Sequence, residues 1–295
     1  MHVSTEDVNA LFRRHQGVIL LLFVSLLLRS YYLVGFGLGD DAYYASTSLN
    51  FLKYGFKALP LSFGSNYRIG IWIPTALSFA LFGVNDFSLV LFALASSTLL
   101  VLVVYLIALE LADEKVALFS AIIQAFSPFD IGFASTLTID IPSNLLLALS
   151  MLFFIKGGVV RRYSSVFYFF SGFCIVWSYF IKIPALSMML VYAAITITQI
   201  RQLKRHIFFY LIFGFLFGST LAIDFLLSGN PINYVVQEIK FTAKPGFFSD
   251  LWMLYPEWMF TARNWLGVMF FGYHFWLAVP AGVYCLLSRD LRGRV

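Results

Sequence analysis

Charged residues are scarce in this chain: Asp, Glu, Lys and Arg make up 12% of its 295 residues, about half the ~25% of an ordinary soluble domain. Hydrophobic residues make up 60%, and the mean hydropathy is +0.84. No soluble core of this length needs so much apolar surface. The apolar segments are long enough for helices, and the alternating pattern of barrel strands is absent, so we expect an all-α, polytopic membrane helix bundle.

Cysteine and histidine are also few, which limits the chemistry that the chain can carry. Cys174 and Cys285 both lie inside apolar segments, a pattern that supports neither a disulfide framework nor a CxxC metal site. Of the four histidines, only His274 lies near a predicted outer loop, so a histidine-based metal site is not expected. The sequence has no GxGxxG after a strand, no P-loop and no HExxH motif, and no soluble domain for a nucleotide cofactor.

The basic residues indicate how the chain is oriented in the membrane. The net charge of +5 is carried by clusters between apolar segments, which is typical of cytoplasmic anchoring rather than of nucleic-acid binding. Arg13-Arg14 precedes the first apolar run, and no small-residue cleavage site follows it, so we expect a retained signal anchor. Arg161-Arg162 and the cluster at 201–205 are predicted to be cytoplasmic as well. The chain is thus expected to be a multi-pass protein of the cell membrane.

An even number of spans must then separate Arg13 from Arg161, and four candidates fit. In all, about eight spans are predicted, at 17–34, 87–111, 116–133, 141–155, two within 163–199, 207–227 and 265–287. Residues 68–83 fall short of the ~17–25 residues that a spanning helix needs, so this segment is predicted to be an interfacial or re-entrant helix. This topology gives one transmembrane domain over 1–295 with two long outer loops, 35–86 and 228–264.

Two adjacent carboxylates, Asp40 and Asp41, follow the first span where it emerges into water. Carboxylates there can hold a divalent cation, accept a proton, or cap the amphipathic helix predicted up to Gly55. Because a cap needs one side-chain oxygen and two carboxylates are present, we predict a catalytic role for at least one of them. Asp140 emerges on the same side before the fourth span, and is either the N-cap of that span or part of the same site.

Four basic residues near the predicted outer side are candidates for contacts with an anionic substrate. They are Arg29, Arg68, Lys182 and Arg263. For each, the alternative is a side chain that extends from the apolar region to the lipid headgroups. The sequence leaves both interpretations open.

The order of these motifs resembles the opening of GT-C glycosyltransferases, in the branch that holds protein O-mannosyltransferases, aminoarabinose transferases and rhizobial lipopolysaccharide sugar transferases. In that family an acidic pair in the first outer loop is followed by aromatic residues and a helix along the membrane. The resemblance covers roughly residues 20–184. Its motifs are Arg29-Ser30-Tyr31-Tyr32, Gly39-Asp40-Asp41-Ala42-Tyr43-Tyr44, the run from Leu49 to Gly55, Arg68-Ile69-Gly70 with Pro74 and Leu81-Phe82-Gly83, Asp140 and, more loosely, Lys182-Ile183-Pro184.

The resemblance implies transfer of a sugar from a polyprenyl-phosphate donor to a lipid, glycan or protein acceptor at the outer face of the membrane. It implies that Asp40 is the general base, that Asp41 and Asp140 orient the acceptor or hold a cation, and that Tyr44 contacts substrate. The leaving phosphate needs positive charge. The residues expected to supply that charge are Arg68, Lys182, Arg29 and Arg263.

Three departures from the family pattern bear on this expectation. Asp41 stands where Glu is commoner, no metal-binding Glu-His pair can be placed, and family members usually have more spans, often with a trailing soluble domain. The domain is therefore expected to be either incomplete at its C-terminus or a reduced member of the family. The alternatives are a membrane transporter and a noncatalytic component of a glycan-assembly complex. A transporter would be expected to carry ionisable residues in mid-membrane, whereas the acids here cluster at the outer ends of spans.

Overall fold

The computed structural model describes residues 5–37, 40–55, 68–198 and 203–242, with side chains for 15–160, 162–226 and 228–237 within those ranges. Every regular element in this part of the chain is helical, which confirms the predicted all-α membrane bundle. The α-helices are α1 (Thr5–Tyr31), α2 (Asp40–Tyr54), α3 (Ile69–Phe82), α4 (Asp86–Leu111), α5 (Glu114–Ala125), α6 (Pro128–Ala134), α7 (Asp140–Val159), α8 (Ser164–Tyr179), α9 (Met188–Thr198), α10 (Leu203–Ser228) and α11 (Asn233–Thr242).

The long helices agree with the predicted spans, and the shorter ones fall below spanning length. Among the described residues, α4, α7 and the 203–226 part of α10 are long and apolar enough to cross a membrane, and α5 with α6 makes a fourth candidate. At the first, fifth and sixth predicted spans, the apolar helical stretches have 10–17 residues each: His15–Tyr31, Ser164–Tyr179 and Ile183–Thr198. The eighth predicted span, 265–287, lies outside the described residues.

The third predicted span, 116–133, is not one straight helix. It is divided into α5 and α6, which are bent by 54° relative to each other. Ser127 begins α6 because its hydroxyl accepts the N–H of Asp130 at 3.4 Å, and Pro128 has no N–H with which to continue α5. The prediction missed this break because an apolar run continues on both sides of it.

Contacts between helix ends place several of them together at one end of the bundle, which we call the site end. The backbone N–H groups of Val34 and Gly35, just after α1, donate to the carbonyl of Ser135, just after α6, at 3.1 and 2.9 Å. Lys182, just after α8, lies 2.5 Å from Asp140 at the start of α7. The site end therefore brings together the residues after α1, the residues between α6 and α7, and Lys182 after α8.

The other helix ends meet at the opposite end of the bundle. Lys156 near the end of α7 pairs with Glu110 near the end of α4 at 2.5 Å. Arg205, at the start of α10, donates to the carbonyl of Gly158 at 2.8 Å. The ends of the helices are therefore divided between two opposite ends of the bundle.

Helix α3 has both of its ends at the site end. The N–H of Gly70 donates to the carbonyl of Phe180, just after α8, at 3.2 Å, and Gly83 is followed within three residues by the start of α4. Its 14 residues extend about 21 Å, less than the ~30 Å of a bilayer core. The geometry supports the prediction that 68–83 does not cross. However, α3 packs into the bundle, with Ile71 and Trp72 fully buried.

Hydroxyl groups join α7 to α8, the two helices that carry Asp140 and Lys182 towards the site end. Ser143 and Ser178 are hydrogen-bonded to each other at 2.8 Å, and Ser150 is bonded to Ser171 at 3.0 Å. Small hydroxyl residues let helix backbones approach closely where lipid gives no hydrophobic driving force. These contacts fix the register between the two helices.

Candidate functional site

A cavity of about 330 Å³ opens at the site end. It lies between the start of α2, the loop that joins α6 to α7, and the start of α7. Its lining residues are Gly37, Asp40, Asp41, Tyr44, Phe133, Thr136, Leu137, Thr138, Ile139 and Asp140. Four residues that the sequence nominated, three of them acids, therefore share one cavity although they come from two distant segments.

The two acids of the pair have different environments. Helix α2 begins at Asp40, so both carboxylates lie in its first turn, where the helix dipole favours negative charge. Asp40 is exposed, whereas Asp41 is buried and its Oδ2 accepts the N–H of Gly37 at 2.5 Å. Asp41 thus holds the segment before the helix, and Asp40 presents its carboxylate to solvent.

The segment 34–37, which we call the connecting segment, is held closely against its neighbours. Asp86, in the first turn of α4, accepts the N–H of Phe36 at 2.9 Å. Gly35 has φ +82°, a conformation that side chains with a Cβ rarely adopt, and a Cβ at Gly37 would lie 2.9 Å from the Asp41 carboxylate. The glycines are therefore required for the close approach of this backbone to the cavity.

Asp140 does not cap α7, so the N-cap interpretation of this residue is wrong. It is the first residue of the helix, and the preceding Ile139 provides no side-chain cap. Its carboxylate instead lies 2.5 Å from the Lys182 ammonium, and each of these side chains is 40% exposed. Exposure leaves the pair open to exchange with a charged ligand, since solvent screens such pairs and makes them weak.

Arg68 reaches the cavity wall through Tyr44. The Tyr44 side chain is buried and its hydroxyl accepts a hydrogen bond from the Arg68 guanidinium. The guanidinium carbon lies 6.0 Å from the centre of the Tyr44 ring, within the range of a cation–π contact. A hydrogen bond of 3.0 Å from Ser48 to the carbonyl of Trp72 fixes α2 against α3, and so places Arg68 beside Tyr44.

The structure corrects the expectation for Arg29. Its side chain is fully buried, lies 2.5 Å from the Asp130 carboxylate, and is absent from the lining of the cavity. It therefore neither extends to the headgroups nor meets a substrate in the cavity. Arg263, the other residue of this group, lies outside the described residues.

Two acids near the site were not singled out from the sequence. Asp86 holds the connecting segment, and Asp130 pairs with Arg29. Asp130 carried a usable signal, because an acid inside an apolar run is rare unless it has a partner. Asp86 carried none, since an acid just before a span is an ordinary feature of helix starts.

A divalent cation was considered from the sequence. In the part of the chain that the structure describes, no three His, Cys, Asp or Glu side chains are grouped to hold a metal ion. Asp41 and Asp140 already have protein partners in Gly37 and Lys182.

Comparison with known proteins gives one family match. A family model described as dolichyl-phosphate-mannose-protein mannosyltransferase matches residues 69–223, slightly more than half of the chain. The match begins at the first residue of α3 and includes Asp140 and Lys182, whereas Asp40 and Asp41 precede it. No curated protein and no solved structure matches the chain.

Proposed function

Because this chain belongs to the dolichyl-phosphate-mannose-protein mannosyltransferase family and is a membrane glycosyltransferase of the GT-C type, we propose that it uses a polyprenyl-phosphate-linked sugar as donor. The reaction takes place in the cavity that Asp40, Asp41 and Asp140 share. The observation that carries this proposal is that three acidic residues line one cavity, with Lys182 and Arg68 one contact away. The reaction needs a carboxylate to accept the proton of the acceptor hydroxyl and positively charged side chains to contact the phosphate.

Asp40 acts on the acceptor. Its carboxylate is exposed on the cavity, so an acceptor hydroxyl can come within hydrogen-bond reach. The hydroxyl oxygen attacks the anomeric carbon of the sugar and its proton passes to Asp40. The bond between the anomeric carbon and the phosphate oxygen breaks, and polyprenyl phosphate leaves. Asp41 supports this step by holding the connecting segment beside it.

Lys182 and Arg68 act on the leaving group, whose negative charge grows as the bond breaks. The Lys182 ammonium has three donors, so it can contact a phosphate while it remains near Asp140. Arg68 has five donors in a planar fork, and its guanidinium contacts the Tyr44 hydroxyl at the cavity wall. Asp140 then orients Lys182 and contacts the acceptor.

The cavity faces the extracytoplasmic side of the cell membrane. Arg205 lies at the opposite end of the bundle, and basic residues between spans mark the cytoplasmic side. A cavity at the site end of the spans also allows the polyprenyl tail to lie among lipid-facing side chains while the phosphate reaches Lys182. The acceptor, whether lipid, glycan or protein, would approach from the aqueous side.

The test is a release assay on the purified protein in lipid nanodiscs. Labelled polyprenyl-phosphate hexose and pentose are each supplied with a lipid, a glycan or a peptide acceptor, and free polyprenyl phosphate is measured. We expect acceptor-dependent release with one donor class. Failure of every pair with folded protein would contradict the proposal. In a parallel assay with the protein in vesicles, movement of intact donor between the leaflets without release would instead support a transporter.

A further inference from the structure

Arg29 is the centre of a buried polar cluster that the proposed reaction does not use. Its side chain is 0% exposed and that of Asp130 is 7% exposed, with 2.5 Å between guanidinium and carboxylate. Ser97 completes the cluster, because its hydroxyl accepts from Arg29 and donates to Asp130. A buried ion pair is weak evidence for stability, since desolvation offsets its attraction. The reason for the Arg29–Asp130 pair must therefore be sought in its position in the fold.

The cluster is built on the break between α5 and α6. Pro128 has no N–H to give to the carbonyl of Gln124, four residues earlier. The Arg29 guanidinium donates to the carbonyl of Ala125 at 3.0 Å. It also donates at 3.4 Å to the carbonyl of Gln124, which accepts the N–H of Ser127 as well. Backbone carbonyls cannot be left unpaired at membrane depth. Arg29 thus pairs with the last carbonyls of α5 and, through Asp130, with α6, so it joins both sides of the break to α1.

Arg29 and Asp130 each lie a few residues before a segment at the cavity. Asp130 lies on α6, which ends at Ala134, and Ser135 follows it directly before the cavity residues 136–140. Arg29 lies in the last turn of α1, next to the connecting segment. These two segments contact each other where the N–H groups of Val34 and Gly35 donate to the carbonyl of Ser135. Two residues after Gly35, the N–H of Gly37 donates a hydrogen bond to the Asp41 carboxylate.

We propose that Arg29 and Asp130 are positioning residues for the cavity. Their pair sets the connecting segment against the loop that joins α6 to α7, and through Gly37 it orients Asp41 and its neighbour Asp40. Fixing one register is the best-attested use of buried charge pairs. The effect on rate rests on the proposed function, whereas the effect on the connecting segment does not.

The experiment compares three variants with the wild type. Asp130→Asn removes the charge and keeps the shape. The double variant Arg29→Met with Asp130→Leu replaces the pair by apolar side chains, which often preserves stability. Glu110→Gln is the matched control, since it removes a charge from the pair with Lys156 at the opposite end. Backbone hydrogen exchange of the purified protein in nanodiscs is measured together with kcat and KM for sugar transfer.

In Asp130→Asn and in the double variant, we expect exchange in the connecting segment to rise about tenfold, as for loss of one net hydrogen bond, while α7 stays protected. We expect kcat to fall about a hundredfold, the effect of a misplacement of about 1 Å, with little change in KM. Glu110→Gln should match the wild type in both. If Asp130→Asn is not recovered folded, Arg29→Lys replaces it, because lysine keeps the charge and lacks the planar fork.

A folded double variant with wild-type exchange in the connecting segment and wild-type kcat would overturn the inference, because the pair would then serve stability alone. Wild-type exchange in the Asp130→Asn variant, or in the Arg29→Lys variant that replaces it, would do the same. If the wild type transfers no sugar from any donor, the proposed function fails. The exchange data then still decide whether the pair positions the connecting segment.

Discussion

Replacing Asp40 by Asn is the perturbation that separates a catalytic carboxylate from a structural one. The amide has nearly the same shape as the carboxylate and cannot accept the acceptor proton. Asp40 is exposed in the first turn of α2 and lines the cavity. The substitution therefore changes the charge on the cavity and removes little packing.

The expected magnitudes differ clearly between the two roles. Loss of a general base lowers kcat by about 10²- to 10⁴-fold, which corresponds to roughly 3–5 kcal/mol of transition-state stabilisation. The stability cost is the lost attraction between the carboxylate and the helix dipole, about 0.3–1 kcal/mol for an exposed residue. A catalytic Asp40 thus gives a folded and nearly inactive Asp40→Asn variant.

The assay measures polyprenyl-phosphate release at saturating donor, beside the unfolding midpoint in detergent. Asp113→Asn is the matched control, because Asp113 caps α5 at the opposite end through the N–H of Val116 at 3.0 Å, and Asn caps about as well as Asp. The control should keep wild-type release and stability. If Asp40→Asn keeps release within about threefold of the wild type, far less than a base contributes, the assignment of Asp40 as the base is refuted.

Three further predictions follow from the same geometry. In a double-mutant cycle, Asp40→Asn and Asp140→Asn should lower kcat together by less than the product of their single effects; a simple product would place them in separate sites. Gly37→Ala should lower kcat because its Cβ would lie 2.9 Å from the carboxylate that Gly37 holds, whereas Gly132→Ala, with nothing within 4 Å of its Cβ, should not. Lys182→Gln should raise KM for the donor and change stability by less than about 1 kcal/mol, since the pair is half-exposed; an unchanged KM would remove Lys182 from the phosphate site.

The grouping of Asp40 with Asp140 was predictable because it follows from topology. Spans have a minimum length and basic residues mark the cytoplasmic side, so both acids had to emerge at the same end. The exclusion of 68–83 from the spans followed from the same count. The structure adds that both acids line one cavity.

The partners of the charged residues were not predictable. Arg29 and Asp130 are far apart in the sequence and meet only because α5 and α6 are bent at Pro128. Proline is tolerated in membrane helices when neighbouring groups satisfy the freed carbonyls, so a Ser-Pro pair in an apolar run does not reveal a break. Likewise, the pairing of Asp140 with Lys182 depends on the register of α7 against α8, which the hydroxyl contacts between these helices set.

The most direct test of the account asks whether the donor occupies the cavity. In a protein in which Cys285 is replaced by Ser, Thr136→Cys places a thiol in the cavity wall. The control is Lys115→Cys, which is exposed at the opposite end. The rate of alkylation by a polar thiol reagent is measured with and without polyprenyl-phosphate sugar. The account predicts that the donor slows alkylation of Thr136→Cys alone, and that prior alkylation there abolishes release. Alkylation unaffected by donor, with full release from the alkylated protein, would contradict it.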